Sequence, residues 1–100
     1  MVVVIFRSRI KEEMSAEYYS RAEEMGAIAK EMPGFISYNA YTSTDGERVS
    51  VHEWESVEDL EAWRTHPEHL KVQSYGREHF YKEYTLYVCD NPRESRFKID

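Results

Sequence analysis

One hundred residues make a single-domain chain, and a chain this short buries only about 60–65% of the surface its unfolded form exposes, so its core is thin. With 41% hydrophobic and 32% charged residues it has the balance of a folded globular protein, which excludes a disordered or fibrous one. Nineteen acidic against thirteen basic residues give a formal charge of −6 with the basic ones scattered, which argues against a nucleic-acid or anionic-membrane surface and for a neutral or aromatic small molecule.

Met1 to Ile10 is rich in β-branched residues and alternates in its second half, which predicts a first strand. Ser15 stands where a helix N-cap would accept an early free N–H. Tyr18, Ala22, Met25, Ala29 and Met32 recur at spacings of three and four, one face of a helix that stops at Pro33-Gly34. Phe35 to Thr44 alternates, Asp45-Gly46 offers a tight turn, and Arg48 to Glu55 returns, so the pair is a β-hairpin. On its first strand Phe35, Ser37, Asn39, Tyr41 and Ser43 oppose Ile36, Tyr38, Ala40 and Thr42; on the second, Val49, Val51 and Glu53 oppose Ser50, His52 and Trp54. Neither face is wholly polar.

Ser56 with Asp59 three residues on predicts a capped helix start, and Val57, Leu60, Trp63 and Arg64 continue it. Pro67 disfavours helical backbone at His66 but suits the first turn of a following helix, expected from Pro67 to about Tyr81. Glu83 to Asp90 alternates Tyr84, Leu86 and Val88 against Thr85, Tyr87 and Cys89 as the last strand. The order βαββαβ, its second helix split, is an α+β ferredoxin-like plan: a four-stranded antiparallel sheet with helices on one face. The other face stays bare and apolar, so a homodimer joining two such faces is expected. Residues 1–90 form this domain and 91–100 a polar tail in which Phe97 and Ile99 either dangle or reach a neighbouring subunit.

Cys89 is the single cysteine, so no internal disulfide forms and a reducing cytoplasm is the expected location. The longest apolar run, Met1 to Phe6, is far short of the roughly 20 residues that span a bilayer, and no membrane partner is expected.

Three segments resemble a known family: MPGFISYNAY (Met32 to Tyr41), HEWES (His52 to Ser56) and LEAWRTHPEHLKVQSYGREHFYKEYTLYV (Leu60 to Val88). Together they are similar to the antibiotic-biosynthesis monooxygenase domains of the dimeric α/β-barrel superfamily. The resemblance implies a pocket between sheet and helices in each subunit. It also implies oxidation of an aromatic quinol or polyketide-like substrate by O₂ with no cofactor. Relatives that bind and degrade haem make haem oxygenation the alternative; a non-catalytic ligand-binding stress module is a third. Aligned on the haem degraders, Trp63 is kept, but Ser8 stands at their strand-one Asn and Gln73 at their axial His.

Candidate catalytic residues are His69, His66, Asn39 and Trp63, with Tyr41, Gln73 and Arg77 as candidate substrate contacts. His66 either caps the following helix or moves a proton, and His69 either bonds within the helix or acts as base, since an imidazole titrates near neutrality. Trp63 is either a core anchor or a substrate wall. Asn39 and Tyr41 share a face: toward the helices the Asn39 amide would polarise a substrate carbonyl, and away from them it would bond across an interface. The alternation leaves both orientations open. No metal is expected, because no three or four ligands converge locally around His66 and His69. Cys89 is expected to be an inert packed thiol.

Overall fold

The computed structural model describes residues 1–100. Strand β1 (Val2–Ile10) passes through a 3-10 turn (Glu12–Met14) into helix α1 (Ser15–Lys30). Strands β2 (Phe35–Thr42) and β3 (Arg48–Trp54) form a hairpin, helices α2 (Val57–Arg64) and α3 (Pro67–His79) follow, and β4 (Tyr81–Asp90) closes the sheet. Strand order is β2-β3-β1-β4 with every neighbouring pair antiparallel. This is the ferredoxin-like α+β arrangement the alternation and helical spacings predict.

Local chemistry sets the element ends. Ser56 Oγ accepts from the Asp59 N–H at 3.1 Å, and the Asp59 carboxylate accepts the Ser56 hydroxyl in return at 2.9 Å, so α2 starts at the predicted cap. Gly34 lies close behind it with φ +82°; a Cβ there would collide with the Asp59 carboxylate, which is why glycine follows Pro33 at this corner. Ser15 is not a cap. The 3-10 turn feeds directly into α1, so Ser15 is already helical and Met14 precedes it with no side-chain hydrogen bond. The third helix ends at His79 and the last strand begins at Tyr81, both two residues or so earlier than predicted.

Even-numbered positions of β1 and β3 face the helices. Across that face run rows of cross-strand partners: Trp54 beside Val2, His52 beside Val4, Ser50 beside Phe6, and Arg48 beside Ser8. Val2, Val4, Trp54, Leu60, Trp63 and Ala29 form the buried cluster, with Met25, Ile28, Met32, Phe35 and Val57 packed on it.

Strand β2 departs from strict alternation. Phe35 pairs with Trp54 and Ser37 with Glu53, so Ile36 is the extra residue of a β-bulge. Phe35 therefore faces the helices, edge-on to Trp54 at 5.5 Å, while Tyr38, Ala40 and Thr42 share its side. Ser37, Asn39 and Tyr41 face the opposite side, beside Glu53, Val51 and Val49. That outer face carries Val3, Ile5, Val49, Val51 and Tyr87 and is covered by no helix; Tyr41 is 62% exposed. Beyond Asp90 the chain has no regular structure, and Phe97 and Ile99 are 91% and 83% exposed.

Candidate active site

Between the inner sheet face and the helices lies a cavity of about 280 Å³. This is near the lower end of the roughly 300–1,000 Å³ of small-molecule sites, and admits a one- or two-ring compound. The helices lean over β1 and β3 and leave the inner side of β4 open: Tyr84, Leu86 and Val88 line the cavity yet remain 42%, 43% and 48% exposed.

One end is an aromatic column. Trp54, with no exposed surface, lies nearly parallel to Trp63 at 6.3 Å between ring centroids, and His69 stacks on the other ring at 4.2 Å with 12° between planes. Trp54 belongs to β3, Trp63 to α2 and His69 to α3, so the stack joins three elements. His52, two residues before Trp54 and on the same face, completes this end.

The hydrogen bonds assign the tautomers. Trp54 Nε1–H can only donate, and it reaches His52 Nδ1 at 2.7 Å, so that nitrogen is the acceptor and the His52 proton sits on Nε2. The Trp63 carbonyl can only accept. It lies 3.2 Å from His69 Nδ1, which must therefore carry the proton, leaving His69 Nε2 as a free lone pair. The Gln73 amide end lies 3.3 Å from the same Nδ1; with its oxygen turned inward it shares that N–H. Burial pushes the His52 imidazolium down to about 4, with nearby His69 adding to the effect. Burial likewise lowers His69, against the Trp63 carbonyl, which favours its charged form. Both rings are neutral at pH 7.

The other end is polar. Arg48, 8% exposed, donates from Nη1 to Tyr18 Oη at 2.6 Å and from Nη2 to Tyr38 Oη at 3.1 Å. Its guanidinium also lies 5.1 Å from the centre of the Tyr18 ring. Tyr38 bridges the two ends, its hydroxyl on Arg48 and its ring 5.9 Å from His52.

Of the residues singled out in the sequence, His69, Trp63, Gln73 and Arg77 line this cavity together. His66 does not. Its Nδ1 accepts the Glu68 N–H at 3.1 Å and caps α3, which is the capping role weighed for it. Asn39 and Tyr41 are also outside, because the bulge at Ile36 turns them to the outer face. His79 is outside the cavity as well, its ring tilted against Tyr75 at 4.3 Å between centroids. No three His, Cys, Asp or Glu side chains are grouped to hold a metal ion. His52, Arg48, Tyr18 and Tyr38 are among the cavity residues not singled out as site candidates beforehand, although His52 and Arg48 alternate with Trp54 along β3.

Residues 1–75 match the family model for antibiotic biosynthesis monooxygenase. The chain is 33% identical to the uncharacterised protein YqjZ of Bacillus subtilis (strain 168), covering 95% of this chain and 82% of that one. Among solved structures it is similar to Rv0793 from Mycobacterium tuberculosis, with TM-score 0.83 and 23% identity over 95% of this chain and 98% of that one. It is also similar to SnoaB, a cofactor-independent oxygenase from Streptomyces nogalater, with TM-score 0.75 and 19% identity over 94% of each chain. At these identities the two structures establish the shared fold.

Neutral burial of His52 makes stability depend on pH. The unfolded chain binds a proton at this side chain near pH 6.5, the folded chain only near 4, so this contribution is full above 6.5 and is lost as pH falls through 4. Between pH 7 and 4.5 wild-type unfolding free energy in urea should fall by about 2–3 kcal/mol more than that of His52→Gln, whose amide still accepts from Trp54. Parallel pH profiles for the two proteins would contradict the assignment.

Proposed function

The chain belongs to the antibiotic biosynthesis monooxygenase family, and from that premise we propose that it is a cofactor-independent monooxygenase of small phenolic aromatics. The observation that carries the reading is a neutral His69 whose Nε2 makes no hydrogen bond, stacked on Trp63 in an apolar cavity.

The chemistry follows from those residues. A phenolic ring enters over the open inner side of β4 and lies against Trp63. His69 Nε2 takes the phenolic proton, and the phenolate places electron density on the ring carbon para to its oxygen. That carbon reduces O₂ and forms a C–O bond, giving a peroxide. Loss of the ring proton and cleavage of the O–O bond leave a carbonyl and water. A ring C–H plus a phenol O–H and O₂ become a quinone and H₂O, so the substrate supplies all the electrons and no reductant enters. The His52 Nε2–H supports the developing oxyanion as a donor, and the dry walls keep phenolate and peroxide from bulk water. Asn39 takes no part in this scheme.

The proposal includes a homodimer formed through the outer sheet face, where Ile5, Val51 and Tyr87 align in one row beside Asn39. An uncovered apolar surface of this kind is uncommon on a monomer. It extends to a cytoplasmic location, supported by the free thiol of Cys89. Sedimentation should give twice the 11.9 kDa chain mass, and Val51→Glu, at the centre of the row, should give the single mass. A wild-type monomer at micromolar concentration would remove the dimer.

Oxygen uptake with 1-naphthols that keep a C–H at the para carbon tests the chemistry. Wild-type protein should exceed the buffer blank, place one atom of ¹⁸O₂ in the naphthoquinone formed from a naphthol, and lose about 10²-fold or more in kcat in His69→Ala. A rate equal to the blank with all these compounds, or one unchanged in His69→Ala, would sink the reading.

A further inference from the structure

Arg48 is the least explained charge in the molecule. A buried ion without a counter-ion is strongly unfavourable, and proteins pair such groups. Here an arginine residue that is 8% exposed has phenols as partners, and no carboxylate among the groups that act on it. Guanidinium offers five N–H donors, and the two phenols take only part of them. Tyr38 accepts from Arg48, which leaves its own O–H proton to be donated elsewhere, while the Tyr18 hydroxyl is shared between Arg48 and the hydroxyl of Tyr81. Ser8, the cross-strand partner of Arg48, adds an orphan: its Oγ is fully buried with no hydrogen-bond partner.

The charge around the cavity points the same way. In a chain of net charge −6, its lining includes Arg21, Arg48, Arg64 and Arg77 and no aspartate or glutamate. Arg21 and Arg64 lie near acids of their own helices, Glu24 at 3.9 Å and Glu61 at 2.8 Å, outside the lining. The acidic surplus is thus held away from this one concavity. A positive, low-dielectric recess concentrates anions.

We propose that the cavity takes a small aromatic anion, a ring system bearing a carboxylate or other oxyanion, whose negative oxygen is held by Arg48, Tyr18 and Tyr38. The anion completes the coordination of the guanidinium, and Tyr38, touching both Arg48 and His52, sets the distance from the charged group to the aromatic column. A ligand anchored there is oriented along one direction only, its ring toward Trp63 and His69. The ligand stays within the neutral or aromatic small molecules expected from overall charge, as an aromatic one that carries a negative group. It deepens the oxygenase reading by naming the charge of the substrate, and rests on that reading only for what happens to the ligand once bound.

Calorimetric titration without O₂ tests it with two isosteres, 2-naphthoate and the uncharged 2-naphthamide, at pH 7. Wild-type protein should bind the carboxylate at least tenfold more tightly than the amide. Arg48→Met, folded as judged by circular dichroism, should bring the two within about twofold, and Arg48→Lys, which keeps the charge but loses the planar fork, should keep part of the preference. Naphthoate bound no more tightly than naphthamide, absence of binding by both included, overturns the proposal, as does a preference that survives Arg48→Met. The wild-type comparison stands even if Arg48→Met does not fold. Because no turnover is measured, anion preference without oxygen uptake removes the oxygenase reading alone, and oxygen uptake without anion preference removes the anion site alone.

Discussion

Burial of Trp54 is the constraint from which the site is built. Its side chain removes roughly 150–250 Å² from water, worth about 4–6 kcal/mol in a chain with a thin core. The indole can be buried only because its N–H finds His52 Nδ1 at 2.7 Å. That single bond dictates the His52 tautomer and holds a titratable ring neutral inside the sheet. The same indole face receives Trp63, and through Trp63 it sets where α3 can bring His69. Packing and protonation state are therefore one arrangement: the contacts that close the core also leave His52 with an N–H on Nε2 and His69 with an unshared lone pair on Nε2.

The inner sheet face grades from apolar to polar along the strands. The rows led by Trp54 and His52 carry the aromatic column, and the row of Arg48 and Ser8 carries the charge and the unpartnered hydroxyl. Arg48 and His52 are four residues apart on one strand, about 13 Å between backbones, and the long Arg side chain shortens that gap to the size of an aromatic ligand. The helices could have covered β4 as well and made a tighter core. They leave Tyr84, Leu86 and Val88 open, which provides an entrance at the expense of packing. The family relationship accounts for the fold; the free imidazole lone pair and the charged end follow from residues of this chain.

The architecture was legible in the sequence because its signals are periodic. Two-residue alternation marked the strands, and Ser56 with Asp59 marked α2, whose cap forms as expected. Trp63 stood out by the family resemblance, Gln73 by its place in that alignment, His69 by an imidazole that titrates near neutrality, and Arg77 as a candidate substrate contact. Asn39 and Tyr41 were unresolved for a physical reason: one extra residue at Ile36 reverses which side of β2 faces inward, and a bulge leaves no periodic trace. His66 is used up by a backbone N–H, a local bond that spacing alone could not separate from a catalytic role. Arg48 had a signal that overall charge concealed. It continues the alternating set Ser50, His52 and Trp54, and a charge in register with a buried indole is a charge on the inner face.

The central claim is that core packing presets His69 as a neutral base with its lone pair on Nε2. Long-range ¹H–¹⁵N correlation spectra of the four imidazoles at pH 7 measure this directly. His69 should appear with protonated Nδ1 and unprotonated Nε2, and His52 with the reverse tautomer. A His69 imidazolium, or a His69 proton on Nε2, would contradict it.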